Sequence, residues 1–167
     1  MPVSEGLECS LIASNLWMGS RPPIGSALRR AGFRTLALCA MEWQPSADMY
    51  PDVEVLRVIL NDAELGREDA RAACSIASRL YERVRQGHKV LITCSQGRNR
   101  SGLVTALTLA GLTGCTGAKA IQAVRDRRRS PFGPALTNDH YVRALLRVEG
   151  RKDPTVSTIG RRIQARV

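Results

Sequence analysis

The stretch Val90-Leu91-Ile92-Thr93-Cys94-Ser95-Gln96-Gly97-Arg98-Asn99-Arg100-Ser101-Gly102-Leu103-Val104 decides how this chain is read. It opens on an apolar, branched run of the kind that fills a buried strand. A tight polar loop follows, and from Ser101 the pattern is that of a helix. A loop that feeds a helix N-terminus aims successive backbone N–H groups at one spot, and the helix dipole adds positive potential there. Such a cup fits a tetrahedral oxyanion. Cys94 stands beneath it, where the same field favours the thiolate, and a thiolate is a nucleophile. Arg100 closes the loop with a planar fork that matches two phosphoryl oxygens. Gly97 lets the backbone turn closely around the anion, and Ser101 carries a hydroxyl able to donate to the sulfur. Alone, Cys94 reads as a buried strand residue and Arg100 as a surface arginine. The combination in a strand, loop and helix is what points to chemistry.

Outward from this loop, short branched runs bounded by turn formers predict strands over residues 10–12, 16–18, 35–40, 53–60 and 89–93. A short helix fits residues 25–31. A longer one fits 68–86, with Ala72, Ile76, Leu80 and Val84 on one face and Gly87 as its stop. After Thr93 the chain turns helical, over 101–112, 117–128 and 137–148. A mixed half followed by a helical half implies an α/β domain: a central mixed, mostly parallel sheet of about five strands with helices on both faces. One domain over residues 1–148 accounts for the pattern. Residues 149–167 lose periodicity and read as a basic C-terminal tail.

Composition narrows the function. The formal net charge of +10 favours anionic partners without choosing among them. Aromatics make up only 4% of the chain, which speaks against a stacking platform for single-stranded nucleic acid. Arg125, Arg127, Arg128 and Arg129 form a basic run that reads as facing solvent. Five scattered cysteines suggest neither a disulfide framework nor a zinc site, so the expected setting is a reducing one, the cytoplasm. No basic stretch with an apolar run opens the sequence, and no segment is apolar over a membrane-spanning length. His88 and His140 have no metal-ligand partner at useful spacing and read as solvated. No metal is expected, because Arg100 and the loop amides supply positive charge.

The loop resembles that of the dual-specificity branch of the cysteine-dependent protein tyrosine phosphatase superfamily, His-Cys-x-x-Gly-x-x-Arg-Ser/Thr. Three further segments are similar to that family in the same order: Asn15-Leu16-Trp17-Met18-Gly19-Ser20, Leu60-Asn61-Asp62-Ala63-Glu64, and Thr137-Asn138-Asp139-His140-Tyr141. Together they span roughly residues 8–148. The resemblance implies phosphate monoester hydrolysis without a cofactor. Cys94 would attack phosphorus and Arg100 would bind its oxygens. The amides of Ser95, Gln96, Gly97, Arg98, Asn99 and Arg100 would cradle them, while Ser101 assists the sulfur. Asp62 takes the slot of the general acid and base, with Glu64 as its substitute, and Asn138 that of a residue positioning substrate or water. The implied substrates are phosphotyrosine and phosphoserine or phosphothreonine in proteins. Alternatives are RNA 5′ ends or phosphoinositides, given the basic Arg98, or binding of phosphorylated partners without turnover. Two departures stand out: Thr93 replaces the family histidine, and Thr137 and His140 replace a proline and a glycine. The first implies a less acidic Cys94, with activity peaking at higher pH.

Overall fold

In the computed structural model, which describes residues 6–151, the elements run β1 (Cys9–Ala13), β2 (Leu16–Gly19), α1 (Ala27–Arg30), β3 (Phe33–Ala40), β4 (Glu54–Leu60), α2 (Arg67–Arg85), β5 (Lys89–Thr93), α3 (Arg100–Thr113), α4 (Gly117–Arg127) and α5 (Asp139–Leu146). A single 3₁₀ turn, Ala47–Met49, lies between β3 and β4 and was not expected from the sequence. The sheet order is β1-β2-β5-β3-β4. Only the β1–β2 pairing is antiparallel, and β5 runs parallel to both of its neighbours. This is the mixed, mostly parallel five-stranded α/β sheet that the alternation of runs predicts.

Central placement explains the apolar run of β5. Val90, Leu91 and Ile92 are each no more than 1% exposed. Side chains alternate across a strand, so Val90 and Ile92 join the larger core with α2, α3, α4 and α5, while Leu91 joins a smaller one. That second core holds Leu28 of α1, Tyr50 beside the 3₁₀ turn, and Phe33, Leu36 and Leu38 of β3. Helices therefore cover both faces. Each of these side chains contributes roughly 1.5–3 kcal/mol relative to exposure.

The buried stripe of α2 is Ala70, Ala73, Cys74, Ile76, Ala77 and Leu80. Ala72 and Val84, expected on that face, are half-buried at its margin. The helix carries Glu68 and Asp69 in its first turn and Arg83 and Arg85 in its last, as the dipole favours. Gly87, at φ 83°, ends it: its N–H bonds Val84 O at 3.0 Å and that of His88 bonds Arg83 O at 3.0 Å, the Schellman arrangement. Helix α3 is buried from Arg100 to Gly111, which is why its sequence is apolar all round. Helix α5 starts two residues later than expected, because Asn138 caps it through His140 and Tyr141 N–H while the Thr137 N–H bonds a side chain of the loop after β5.

Two expectations about polar residues are corrected. His88 is half-buried and its Nδ1 lies 2.9 Å from Thr35 Oγ1, so it is a structural partner of β3 rather than a solvated ring. The basic run does not simply face solvent. Arg125, Arg127 and Arg129 are exposed as expected, although Arg125 also donates to Leu136 O at 2.7 Å and Arg127 to the carbonyl of Ile12, whereas Arg128 is buried. The end of α4 lies against loops whose carbonyls need donors, and arginine reaches them. Most of the expected C-terminal tail, residues 152–167, lies outside the described residues.

Candidate active site

Parallel strands β3, β4 and β5 end at the same sheet edge, where open α/β sheets collect functional groups. Beyond their last residues the chain presents Glu42, Asp62 and Cys94. A cavity of about 270 Å³ opens there, lined by these three together with Ser95, Gln96, Arg98, Asn99 and Arg100. The structure thus brings Cys94, the loop after it, Arg100 and Asp62 to one place. Glu64 is exposed and does not line the cavity, and neither does Asn138.

Cys94 is 3% exposed, and its Sγ lies 3.2 Å from Ser101 Oγ in the first turn of α3. Thr93, fully buried, donates from Oγ1 to Ala37 O at 2.9 Å, so this side chain ties β5 to β3. Cys39 follows the residue that pairs with Thr93 and shares the core of Cys94. Burial, and next the Cys94 sulfur, push the Cys39 thiol well above its ordinary range.

Arg100 is 8% exposed. Its Nη1 and Nη2 both donate to the Glu42 carboxylate, Nη2 to Oε1 at 2.7 Å, and Nη1 also reaches Leu60 O at 3.4 Å. Its Nε is buried with no hydrogen-bond partner among the described residues. An orphaned buried donor costs about 1–3 kcal/mol. One edge of the guanidinium is therefore held and the other carries an unmet demand for an acceptor, and Arg100 and Cys94 line the same cavity. Glu42 also accepts from Ser95 Oγ, and Arg21 sits 3.9 Å from it, stacked over Trp43. Hydrogen bonding from Arg100 holds the Glu42 carboxyl down at about 2.

The loop itself is braced from below. Gly97 has φ 62°, and a Cβ there would lie 2.4 Å from Gly19 C and 2.6 Å from Arg128 Nη2. Arg128 Nε donates to Gly97 O at 2.9 Å, and its two terminal nitrogens grip Glu8, each at 2.6 Å. Drawing the Gly97 carbonyl toward Arg128 keeps an acceptor out of the cup, where an anion needs donors. Arg98 joins the wall through Pro134 O at 2.9 Å and Thr137 Oγ1 at 3.3 Å.

Asp62 is fixed at both oxygens. Asn99 Nδ2 donates to Oδ2 at 3.0 Å and Asn138 Nδ2 to Oδ1 at 2.8 Å. Sequence reasoning placed Asn99 only by its amide and Asn138 near substrate; the geometry sets both side chains against Asp62. Glu42 and Arg128 were missed. An acidic residue just past a parallel strand was the available signal for Glu42, whereas Arg128 was indistinguishable from its basic neighbours.

No family model and no curated protein sequence matches the chain. Solved structures do. Human DUSP28 is 25% identical, with 95% of this chain and 99% of that one aligned and a TM-score of 0.65. Tk-PTP in its active form is 22% identical over 96% and 98%, at 0.66. DUSP15 is 15% identical over 97% and 98%, at 0.69. Loop, sheet order and structural neighbours agree: the chain has the fold of the dual-specificity branch of the cysteine-dependent protein tyrosine phosphatase superfamily.

Proposed function

We propose that the chain is a phosphoric monoester hydrolase working through a phosphocysteine on Cys94. The observation that carries this reading is the unpartnered Nε of Arg100, in a residue that lines the same cavity as a sulfur already in contact with a hydroxyl. In the first step the Cys94 thiolate attacks phosphorus, the bond to the leaving oxygen breaks, and Asp62 gives that oxygen its proton. Arg100 offers its open edge to the phosphoryl oxygens, and the loop amides of residues 95–100 complete the cradle as charge moves onto them. In the second step Asp62, now a carboxylate, takes a proton from water. The water oxygen bonds phosphorus, the S–P bond breaks, and Ser101 donates to the departing thiolate. No metal or cofactor enters these steps.

The substrates in this reading are phosphotyrosine and phosphoserine or phosphothreonine of proteins. A second reading, RNA 5′ ends or phosphoinositides, is favoured by Arg98 in the cavity wall. Five unpaired thiols support a reducing, cytoplasmic setting. Among the described residues no single helix is long and apolar enough to cross a membrane.

The test is hydrolysis of p-nitrophenyl phosphate by reduced protein with chelator present, lost in Cys94→Ser. Absence of turnover from pH 5 to 8 would sink the enzyme reading and leave a binder of phosphorylated partners. Phosphopeptides, triphosphate-ended RNA and phosphoinositides assayed in parallel separate the substrates, and a steep salt dependence for RNA would favour the second reading.

A further inference from the structure

We infer that Asn99 and Asn138 are positioning residues that hold the general acid Asp62 in place before substrate arrives. This rests on the proposed role of Asp62 and gives the side chains of Asn99 and Asn138 a role toward that acid, distinct from the cradle amide of Asn99 and the substrate or water contact expected of Asn138. An asparagine side chain fits a site in two orientations, and its neighbours decide which nitrogen or oxygen faces where. Here they decide it twice. Asn99 Oδ1 faces the N–H of Thr137 at 2.8 Å and of Asn138 at 3.1 Å, so it must be the acceptor and Nδ2 must point at Asp62. Asn138 Oδ1 faces the N–H of His140 at 3.0 Å and of Tyr141 at 3.4 Å, which turns its Nδ2 toward Asp62 as well.

The two donors take different oxygens of one carboxyl group, which fixes the plane of that group and not only its position. The flanking backbone is tied too. Asn138 Nδ2 reaches Ala63 O at 3.0 Å, and Tyr141 Oη donates to Asn61 O at 2.5 Å. Three consecutive residues, Asn61, Asp62 and Ala63, are thus fastened to the start of α5, and Asp62 is also fastened to the phosphate loop itself. All three are exposed, and none belongs to either apolar core. The hydrogen bonds are what keeps an otherwise free acid within reach of a leaving group, and pre-placement of a catalytic group carries a large share of its effect.

Loss of acid positioning has a signature that loss of stability lacks. Nitrophenolate departs without a proton, whereas phenolate departs far more easily with one. Turnover of phenyl phosphate and p-nitrophenyl phosphate is therefore compared in the wild type, Asp62→Asn, Asn138→Ser and Asn99→Ser. Serine at 138 still caps α5 but has no amide to offer Asp62. Asp62→Asn should lose about 100-fold on phenyl phosphate and much less on the nitro ester. Asn138→Ser and Asn99→Ser should repeat that pattern at about tenfold on phenyl phosphate and under threefold on the nitro ester. Inhibition by vanadate should stay within about twofold of wild type in Asn138→Ser, since the phosphate cradle is untouched. Equal losses on both esters, or none, in the asparagine variants while Asp62→Asn discriminates would overturn the inference and spare the acid. Lack of discrimination by Asp62→Asn itself would remove Asp62 as acid and the inference with it.

Discussion

Glu42 occupies the Nη1–Nη2 edge of Arg100 and leaves the Nε edge bare. The carboxylate holds the guanidinium, and in the proposed mechanism an incoming oxyanion would meet its open edge. Glu42→Gln should lower kcat about tenfold at neutral pH through lost orientation.

The same pair makes stability depend on acid. Glu42 is held at about 2 by Arg100, below its ordinary 4.5. A group with a depressed folded-state pKa adds stability that is complete above its ordinary value and is lost as pH falls through the folded one. The window is therefore between 4.5 and 2. The full shift would be worth ~3 kcal/mol, but the Glu42 side chain is 42% exposed, and solvent screening leaves about 1 kcal/mol. Melts at pH 6 should show Glu42→Gln less stable by that amount, with the gap narrowing as pH falls from 4.5 to 3 and closing toward pH 2. A gap of constant size across that range would refute the assignment.

Gly97 and Gly25 give a matched pair. Both have positive φ, 62° and 96°, yet a Cβ at Gly25 meets nothing within 4 Å, while one at Gly97 meets Gly19 and Arg128 below 3 Å. Gly25→Ala should cost about 1 kcal/mol from backbone strain alone and leave vanadate inhibition unchanged. Gly97→Ala must also displace backbone, so a cost above about 2 kcal/mol and at least tenfold weaker inhibition are expected. Denaturant titration and inhibition constants decide it, and equal behaviour of the two variants would show that the brace on the loop is unimportant.

Ser101 Oγ is 3.2 Å from the Cys94 sulfur, and in the proposed mechanism it would stabilise the thiolate that leaves phosphorus. Ser101→Ala should slow the second step about tenfold or more, as loss of one donor at a developing charge does. Rapid mixing with p-nitrophenyl phosphate should then give a burst of nitrophenolate, followed by slow turnover and a trapped phosphoenzyme. A uniform slowing without a burst would place Ser101 in the first step instead.

How much of this was legible beforehand depended on whether local pattern or distant packing decided the outcome. The loop from Cys94 to Ser101 was readable because the strand before it and the helix after it are encoded within a few residues. The five strands were readable for the same reason, with ends shifted by one or two positions. Arg128, Glu42 and the side chain of Asn99 were not, because their partners lie 31, 58 and 37 residues away. Arg128 was misplaced outright: a run of like charges normally faces water, and only the fold shows that Glu8 and Gly97 come to meet one member of it.

That correction gives a sharp contrast between neighbours. The Arg128 side chain is fully buried against a Glu8 that is 29% exposed, while Arg129 lies at the surface. Removing one partner of a buried ion pair strands the other, and costs about 3 kcal/mol where both are well covered. Partial exposure of Glu8 trims this, so Arg128→Met should destabilise by about 2 kcal/mol, whereas Arg129→Met should stay within about 0.5 kcal/mol of wild type. Arg128→Lys keeps the charge beside Glu8 but loses the Nε donor to Gly97 O. Its stability should fall between the other two, and its vanadate inhibition should weaken severalfold, because a lysine cannot hold the carboxylate and the loop carbonyl at once. Stability and inhibition both unchanged in Arg128→Lys would mean that the Glu8 pair alone matters and that the loop keeps its shape without this brace.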